Sequence, residues 1–548
     1  MGTKQYDSAT DLITFSRASG GTALSKISYG NNLVTNGTFD TDLSGWSASH
    51  SPTGQEFDNG TLKLEYPQFN TNSRQTLTGL VVGTSYQVNF SVTNDTQGSG
   101  GSSFVGIWEN NSASSYIERF TYTRGVVGSY TFTFTATSTT SQIRFYKGSN
   151  TGATNFDNVS VKEVLLDQAD GTLQLYNYPN NVPRIEYDAT TGAVKGLLIE
   201  EARTNLVPNS NDFTTSSWTR WFVSIASNVS GVTAPDGSET VDKMIPNSSS
   251  LEHRVWDGVS STAVGETYSV YAKSAGYDYV WLGYYEGSVY GYAVVNLTNG
   301  VVTASNTANY SVEASTNGFY RISVTKTASG TNPRYISISP SPTASPTLNS
   351  SNVPYFVGDG TSGIYVWGAQ IEAGAFPTSY IPTTGASATR AMDLAEIPTS
   401  AFGYNNGAGS IAVEFKSNKP SSLNYGAFVL SDGGPMNRII HYTSSQSHRG
   451  YVRNTSGTQA DIAVGNRGAT SELVKFALAF AEDDFAASLN GATAGTDTSG
   501  TIPSGLSKLA LGYFYPTVPN SNLLNGHIKS IQYYPRRLTN TQLQELTT

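Results

Sequence analysis

An all-β chain built from three antiparallel β-sandwich (jelly-roll) modules is the architecture this sequence predicts, and three observations predict it. Charged residues make up only 13% of the 548 residues, whereas Gly (54) and Tyr (33) stand beside abundant Ser, Thr and Asn. That is the composition of short strands joined by polar turns. Segments such as SYQVNFSV, SYTFTFTAT and SQIRFYKG alternate apolar and polar side chains with period two, which buries one face of a strand. Finally, a pattern recurs. NNLVTNGTFDTDLSGW (31–46) and TNLVPNSNDFTTSSW (204–218) share Asn-Leu-Val-x-Asn, then a Phe, then a Trp. Each leads into a long β-patterned region, so two related sandwiches are expected.

Taken along the chain, residues 32–164 form the first sandwich. GTLKLEY and the three strands quoted above are followed by a closing strand in NFDNVSVKEV. Residues 204–376 form the second, from TYSVYAKS, DYVWLGYY, YGYAVVNL, FYRISVTK and PRYISISP to the closing GIYVWGAQIEAG. The Pro/Ser-rich SPSPTASPTLNSSNVP (339–354) falls before that closing strand and is read as a long loop of the same sandwich. Residues 377–392 are a linker. Residues 393–548 form a third antiparallel set, including GSIAVEFKS, YGAFVLSD, NRIIHYTS and LVKFALAFAED. TNTQLQELT opens with a Thr cap and places Leu543 and Leu546 at helical spacing, which predicts one short C-terminal helix. Residues 1–31 with 165–203 are left as a small discontinuous β unit into which the first sandwich is inserted.

Composition also excludes several function classes. The net charge is −9, so there is no overall basic character to displace counterions from phosphates, and nucleic acid is not an expected partner. Cysteine is absent, which removes disulfides, thiolate metal sites and cysteine nucleophiles. The first residues lack the apolar core of a signal peptide and no apolar run reaches about 18 residues, so a soluble chain without membrane insertion is expected. The five histidines are scattered, with no HExxH, nucleophile elbow or phosphate loop.

ITFSRASGG, PRIEYDATTGAVKGLLIEEARTNLV, TSYIPTTGASATRA and IKSIQYYPRRLTNTQLQEL resemble segments of a recurrent group of tailed-phage virion proteins of structural or tail-fibre-like type. In that group the two opening segments lie close together, followed by a carbohydrate-binding-module-like sandwich and then a concanavalin A-like, or laminin G-like, lectin sandwich. This chain departs from the layout because residues 32–164 separate the opening segments. The resemblance implies a non-enzymatic virion protein, a tail fibre or adhesin, made in the infected bacterial cytoplasm and exposed on the particle. Its implied partners are host cell-surface polysaccharide, other virion proteins and further copies of itself, a trimeric homo-oligomer being favoured. The alternatives are a capsid or tail decoration protein and, third, a polysaccharide depolymerase. For the last, the E-x-D-x-x-E type of strand is missing, and IAVEFKS offers only Glu414.

The first sandwich is also similar to calcium-bearing carbohydrate-binding modules of glycanases. That similarity implies Asp40 and Asp157 as ligands of a structural calcium, the alternative being a turn residue and a solvated strand end. Sugar recognition needs flat aromatic faces and a few polar groups. In GYDYVWLGYYEGSVYGY the candidates are Trp281, Tyr284, Tyr285 and Tyr290, with Trp108 and Tyr116 around the polar ENNSASS of the first sandwich. The alternative for such a stripe is core. Trp46 and Trp218 are read as core, and Glu200, Glu201 and Arg203 as a structural charge cluster.

Overall fold

In a computed structural model the described residues are 13–48, 54–65, 71–98, 103–109, 115–122, 124–148, 151–259, 265–286, 289–307, 309–326, 334–444, 447–466, 472–514 and 522–548. The chain is almost wholly β, with antiparallel ladders throughout the named sheets. It divides into two compact units, one of residues 26–174 with 229–239, and the other of residues up to 25, 175–228 and 240–548.

The first unit holds the first sandwich. One sheet carries Gly128–Thr135, Ser85–Asp95 and Ala153–Leu166, and the other runs Ser47–Ala48, Thr71–Thr78, Thr140–Lys147, Phe104–Glu109, Tyr116–Thr121. The alternation seen in sequence sets the packing. Tyr86, Val88, Phe90 and Val92 of one strand face inward against Val105, Ile107, Ile143 and Phe145 of the opposing sheet, with polar neighbours outward.

The second unit contains two sandwiches. One has sheets in the order Thr219–Trp221, Arg254–Val259, Arg334–Ser341, Tyr279–Glu286, Val289–Asn296, Val302–Ser305, and Val223–Ala226, Asp242–Pro246, Gly363–Ala373, Glu266–Ala275, Tyr320–Lys326, Tyr310–Ala314. The repeat read from sequence is a repeat of structure. The Asn32 side-chain oxygen accepts from the N–H groups of Val34 and Val161, at 3.1 and 3.0 Å. Asn205 likewise accepts from Val207 and Ile371, at 3.1 and 3.2 Å. The Trp46 indole donates to the Asn36 carbonyl at 3.0 Å, and Trp218 donates to that of Asn209 at 2.9 Å. Both tryptophans are buried core.

The other sandwich pairs two seven-stranded sheets. Here the structure differs from the expected organisation. The segments assigned to a separate small β unit supply strands to this sandwich: Thr14–Ser16 pairs with Leu394–Pro398, and Val194–Ile199 pairs with Gly526–Tyr534. Phe15, Leu197 and Ile199 belong to its core. Residues 377–392 are not a free linker either, because Thr378, Tyr380, Ile381, Thr383 and Arg390 are buried and Ala388–Arg390 pairs with Arg203–Asn205. The C-terminal helix, Asn540–Thr547, has the expected threonine cap, Thr539, completed as a capping box with Gln542, and Leu543 is buried. Thr399–Phe402 forms an additional single helical turn.

A buried charge network explains the arginines and acids of the opening motifs. Arg17 bonds Asp393 at 3.0 Å, Arg184 bonds Asp393 at 2.5 Å and Glu200 at 2.9 Å, and Arg390 bonds Glu200 at 2.6 Å. Ser379 donates its N–H and hydroxyl to Glu200 at 2.8 and 2.7 Å. Burial alone would raise the Glu200 carboxyl, but Arg390 and Arg184 hold it far below the usual carboxylate range. Residues around 17, 184–200 and 379–393 thus meet in one cluster of three guanidinium groups and two carboxylates, in which loss of either carboxylate would leave buried arginines without their counter-charge.

Candidate glycan-recognition faces

All of the predicted aromatic residues except Tyr284 fall on matching sheet faces of the two repeated sandwiches. In the first, Gln142, Trp108 and Tyr116 lie opposite one another across three strands. In the second, Tyr285 lies opposite Tyr290, with its ring 5.6 Å from Tyr335. A glycine occupies the middle of each face. A Cβ on Gly106 would come within 2.7 Å of the Trp108 ring, and one on Gly283 within 2.3 Å of the Trp281 ring. Both glycines therefore leave room for an indole lying flat along the strand.

The second face is closed by the chain itself. Trp281, Tyr290 and Val294 pack with Val353 and Leu348, both from the Pro/Ser-rich 339–354 segment. The Tyr290 N–H donates to the Ser351 carbonyl at 3.0 Å, and the Asn352 amide donates back to the Tyr290 carbonyl at 3.2 Å. Arg254 covers the same ring, its guanidinium 5.1 Å from the Tyr290 centroid. These contacts correct the expectation of an open platform at Trp281 and Tyr290, which are 0% and 4% exposed. Tyr284 is also buried, for a different reason. It continues the inward series Val280 and Leu282 and stacks on Tyr268 at 5.6 Å inside the core. Tyr285 alone is half-buried, so neither tyrosine beside the turn is exposed.

The first face is organised around guanidinium groups. Arg144 lies 4.8 Å above the Trp108 ring and is steadied by Gln142, whose side-chain oxygen accepts from Nε at 3.1 Å and Nη2 at 2.9 Å. Burial, then the neighbouring Arg74, lowers the Arg144 pKa. Trp108 is 4% exposed, so its role as a free stacking surface is corrected too: Arg144 and Tyr146 lie against it, the Tyr146 ring stacked at 6.1 Å. Tyr116 is 49% exposed, stands edge-on to Trp108 at 6.2 Å and carries Arg119 5.1 Å from its centroid. Arg119 also lies 5.0 Å from the Phe104 ring. The interior of the ENNSASS loop, residues 110–114, lies outside the described residues. The arginines were missed in the sequence reading. A signal was present only in IRFY, where Arg144 alternates with the inward Ile143 and Phe145, whereas Arg74 sits between Ser73 and Gln75 and Arg119 between Glu118 and Phe120.

Asp40 and Asp157 are close enough for Asp40 to add to the rise of the Asp157 carboxyl, which burial chiefly causes. Asp157 accepts from the Asn158 N–H at 2.7 Å, and Asp40 accepts from the Thr38 hydroxyl at 2.8 Å. Two neighbouring carboxylates are a suitable beginning for a hard divalent cation, which takes six to eight oxygens. Among the described residues no group of three or more His, Asp or Glu side chains gathers as a metal site, so carbonyls would have to supply the rest. In the second sandwich the strand place matching Asp157 holds Trp367, buried against Tyr380 at 4.8 Å.

Two histidine contacts were not foreseen. His441 and His448 meet at 3.0 Å in the core of the last sandwich, and His527 meets Glu186 at 2.5 Å. A cleft of about 820 Å³ is lined by Glu201, Arg203, Phe376, Lys419 and Leu423 among others. Arg203 lies over Phe376 at 4.9 Å and bonds Glu201 at 2.5 Å, consistent with a structural use of that charge pair.

No protein family matches the chain, and no curated protein does. Solved structures similar to parts of it include the CBM40 of the Ruminococcus gnavus IT-sialidase bound to α2,3-sialyllactose, at 17% identity over 26% of this chain and 84% of that one, TM-score 0.24. The heptameric SAP-like pentraxin of Limulus polyphemus matches at 12% identity over 26% and 70%, TM-score 0.22. The CBM22-1–CBM22-2 tandem of Paenibacillus barcinonensis Xyn10C matches at 12% identity over 63% and 98%, TM-score 0.19. Likenesses at this level carry no weight for function.

Proposed function

We propose that this chain is a non-enzymatic adhesin of a phage particle that recognises host-surface polysaccharide through its first sandwich. The observation that carries the reading is the half-exposed Tyr116, held over a floor of Trp108, Phe104 and arginine side chains. A flat ring with adjacent rigid donors is the combination that a pyranose requires. The phage setting rests on the motif resemblance. Assembly as a trimer, with contacts to other virion proteins, would raise the avidity of weak single sites by about 10² or more where several engage at once. Asp40 and Asp157 are the proposed holders of a structural calcium ion beside the closing strand.

The test is binding of the purified chain to intact host cells and to their extracted surface polysaccharide, with and without a chelator, alongside a reducing-end assay. Saturable binding without sugar release is the expected result. Release of reducing ends would instead identify a depolymerase. A second reading, a capsid or tail decoration protein, is favoured by the second sandwich, where the chain covers its own aromatic face with residues 348–353. Absence of binding to cells and polysaccharide alike would select it.

A further inference from the structure

His253 is fully buried in the second sandwich, and both of its ring nitrogens face carbonyl oxygens. Nδ1 lies 2.8 Å from the Phe222 carbonyl, and Nε2 lies 3.1 Å from that of Ser249 and 3.0 Å from that of Phe356. A carbonyl can only accept, whereas a neutral imidazole has one donor and one acceptor nitrogen. Either neutral form therefore sets a ring lone pair against carbonyl oxygen, and only the imidazolium donates on both sides. Among the described residues no carboxylate pairs with this ring, unlike that of His527, which meets Glu186. His441 and His448 are arranged differently again. The Ala427 N–H donates to His441 Nδ1 at 3.2 Å, so the His441 proton sits on Nε2 and is donated to His448 Nδ1 at 3.0 Å. Neutral rings satisfy that contact, and they do not satisfy the one at His253.

The three carbonyls come from three separate segments. Phe222 has a left-handed backbone, φ 54°, which a bulky side chain rarely adopts, and its carbonyl is held by the Asn247 N–H at 2.9 Å as well as by His253. Ser249 precedes the strand Ser250–Glu252, and Phe356 lies in Tyr355–Val357; these strands pair with each other in a two-stranded sheet of their own. The same two strands anchor the segment that closes the aromatic face. Glu252 accepts from the Asn349 amide at 2.9 Å. Asn349 in turn accepts from the Ser351 and Val353 N–H groups at 2.9 and 3.0 Å, and Val353 packs on Trp281 and Tyr290. We infer that His253 carries both ring protons in the closed chain and is a proton-dependent latch for residues 348–353. Loss of one proton to water as pH rises leaves a carbonyl without its donor, frees the Tyr355–Val357 strand and uncovers the face of Trp281 and Tyr290. The titratable and charged groups around the ring are Glu252 and Arg254 on either side of it in sequence, Tyr355 opposite Glu252, Tyr277, whose ring lies 5.7 Å from that of Phe356, and Asp359, which acts on Tyr277. None of them bonds the imidazole, and the imidazole is the group type that ordinarily changes charge between about pH 5 and 8.

Asp242 and Asp257, on neighbouring strands, are raised by burial to about 6, so the test needs a reference inside the same sandwich. Hydrogen exchange of the full chain at about pH 5 and pH 8, corrected for intrinsic rates, is compared between peptides spanning 345–358 and peptides spanning 266–275, for the native chain, His253→Gln and Asn349→Ala. Exchange in 345–358 at least about fivefold faster at pH 8 than at pH 5, with a smaller change in 266–275, is the expected result. His253→Gln has no ring proton to lose, and Asn349→Ala cuts the cover from Glu252, so 345–358 should exchange at the faster rate at both pH values in each. Nitrogen NMR of the native chain labelled in histidine reads the ring itself: His253 should be doubly protonated at pH 5 and lose one proton over the interval in which 345–358 accelerates. The exchange contrast and the ring spectrum are both read on the native chain and stand if a variant does not fold. A single neutral tautomer at pH 5, unchanged exchange in 345–358, an equal change in both groups of peptides, or a pH step that persists in folded His253→Gln would each overturn the latch.

Discussion

In the first sandwich the middle row of the outer sheet reads Arg74, Arg144, Gly106, Arg119; in the second it reads Trp256, Ser337, Gly283, Tyr292. The scaffold beneath is the same, down to Asn32 and Asn205 bridging the opening and closing strands and to an indole N–H capping an asparagine carbonyl. The glycine is the same too, since a flat indole needs it in both. What differs is the surface chemistry and its consequence. The rings of the second face are covered by residues 348–353 and by Arg254. On the first face Trp108 and Arg144 are buried, whereas Tyr116 and Arg119 are exposed. A duplicated sandwich can therefore keep its core while the exposure of its aromatic face differs between the copies.

The largest expected effect separates these roles energetically. Trp281→Ala removes a fully buried indole and should cost the second sandwich about 3–5 kcal/mol, read as faster hydrogen exchange in peptides spanning residues 279–296. Binding to host polysaccharide should be unchanged. Loss of binding with unchanged exchange would break the comparison.

A smaller effect comes from pH. Asp242 of the second sandwich stands where the first has the buried Leu62, each opposite the closing strand at Val366 and Phe156. Burial pushes the Asp242 carboxyl up from 3.8 to about 6, despite N–H donors at Phe213 and Asn228. A carboxyl whose folded pKa lies above its unfolded value stabilises the fold while protonated. Stability of the second sandwich should thus be greatest at and below about pH 4 and fall by at most about 3 kcal/mol as pH rises through 6. The first sandwich should not show that loss at Leu62. Hydrogen exchange of the two sandwiches at about pH 4 and pH 7, corrected for intrinsic rates, checks it, and an equal change in both would remove the distinction.

Much of this was legible in sequence because it is local. Period-two alternation located the strands, the Asn-Leu-Val-x-Asn pattern located both sandwich openings, and Thr539 with Leu543 located the helix. What was not legible depends on pairing between distant segments. Thr14–Ser16 and Val194–Ile199 read as a unit of their own until their partners at Leu394–Pro398 and Gly526–Tyr534 are known. The arginine row is spread over four strands between residues 74 and 144, and no spacing rule aligns it. The direction of Tyr284, by contrast, follows from Val280 and Leu282 by parity and could have been read. The covering of Trp281 could not, because a Pro/Ser-rich loop does not declare which face it crosses.

The most direct measurement is the affinity of Tyr116→Ala and Tyr285→Ala for extracted host polysaccharide, side by side with the native chain. Both side chains are partly accessible and stand on corresponding aromatic faces, so each change probes one face with little cost to folding. The account predicts at least about a tenfold loss for Tyr116→Ala and a change within about twofold for Tyr285→Ala. The reverse pattern would place recognition on the second sandwich and contradict it.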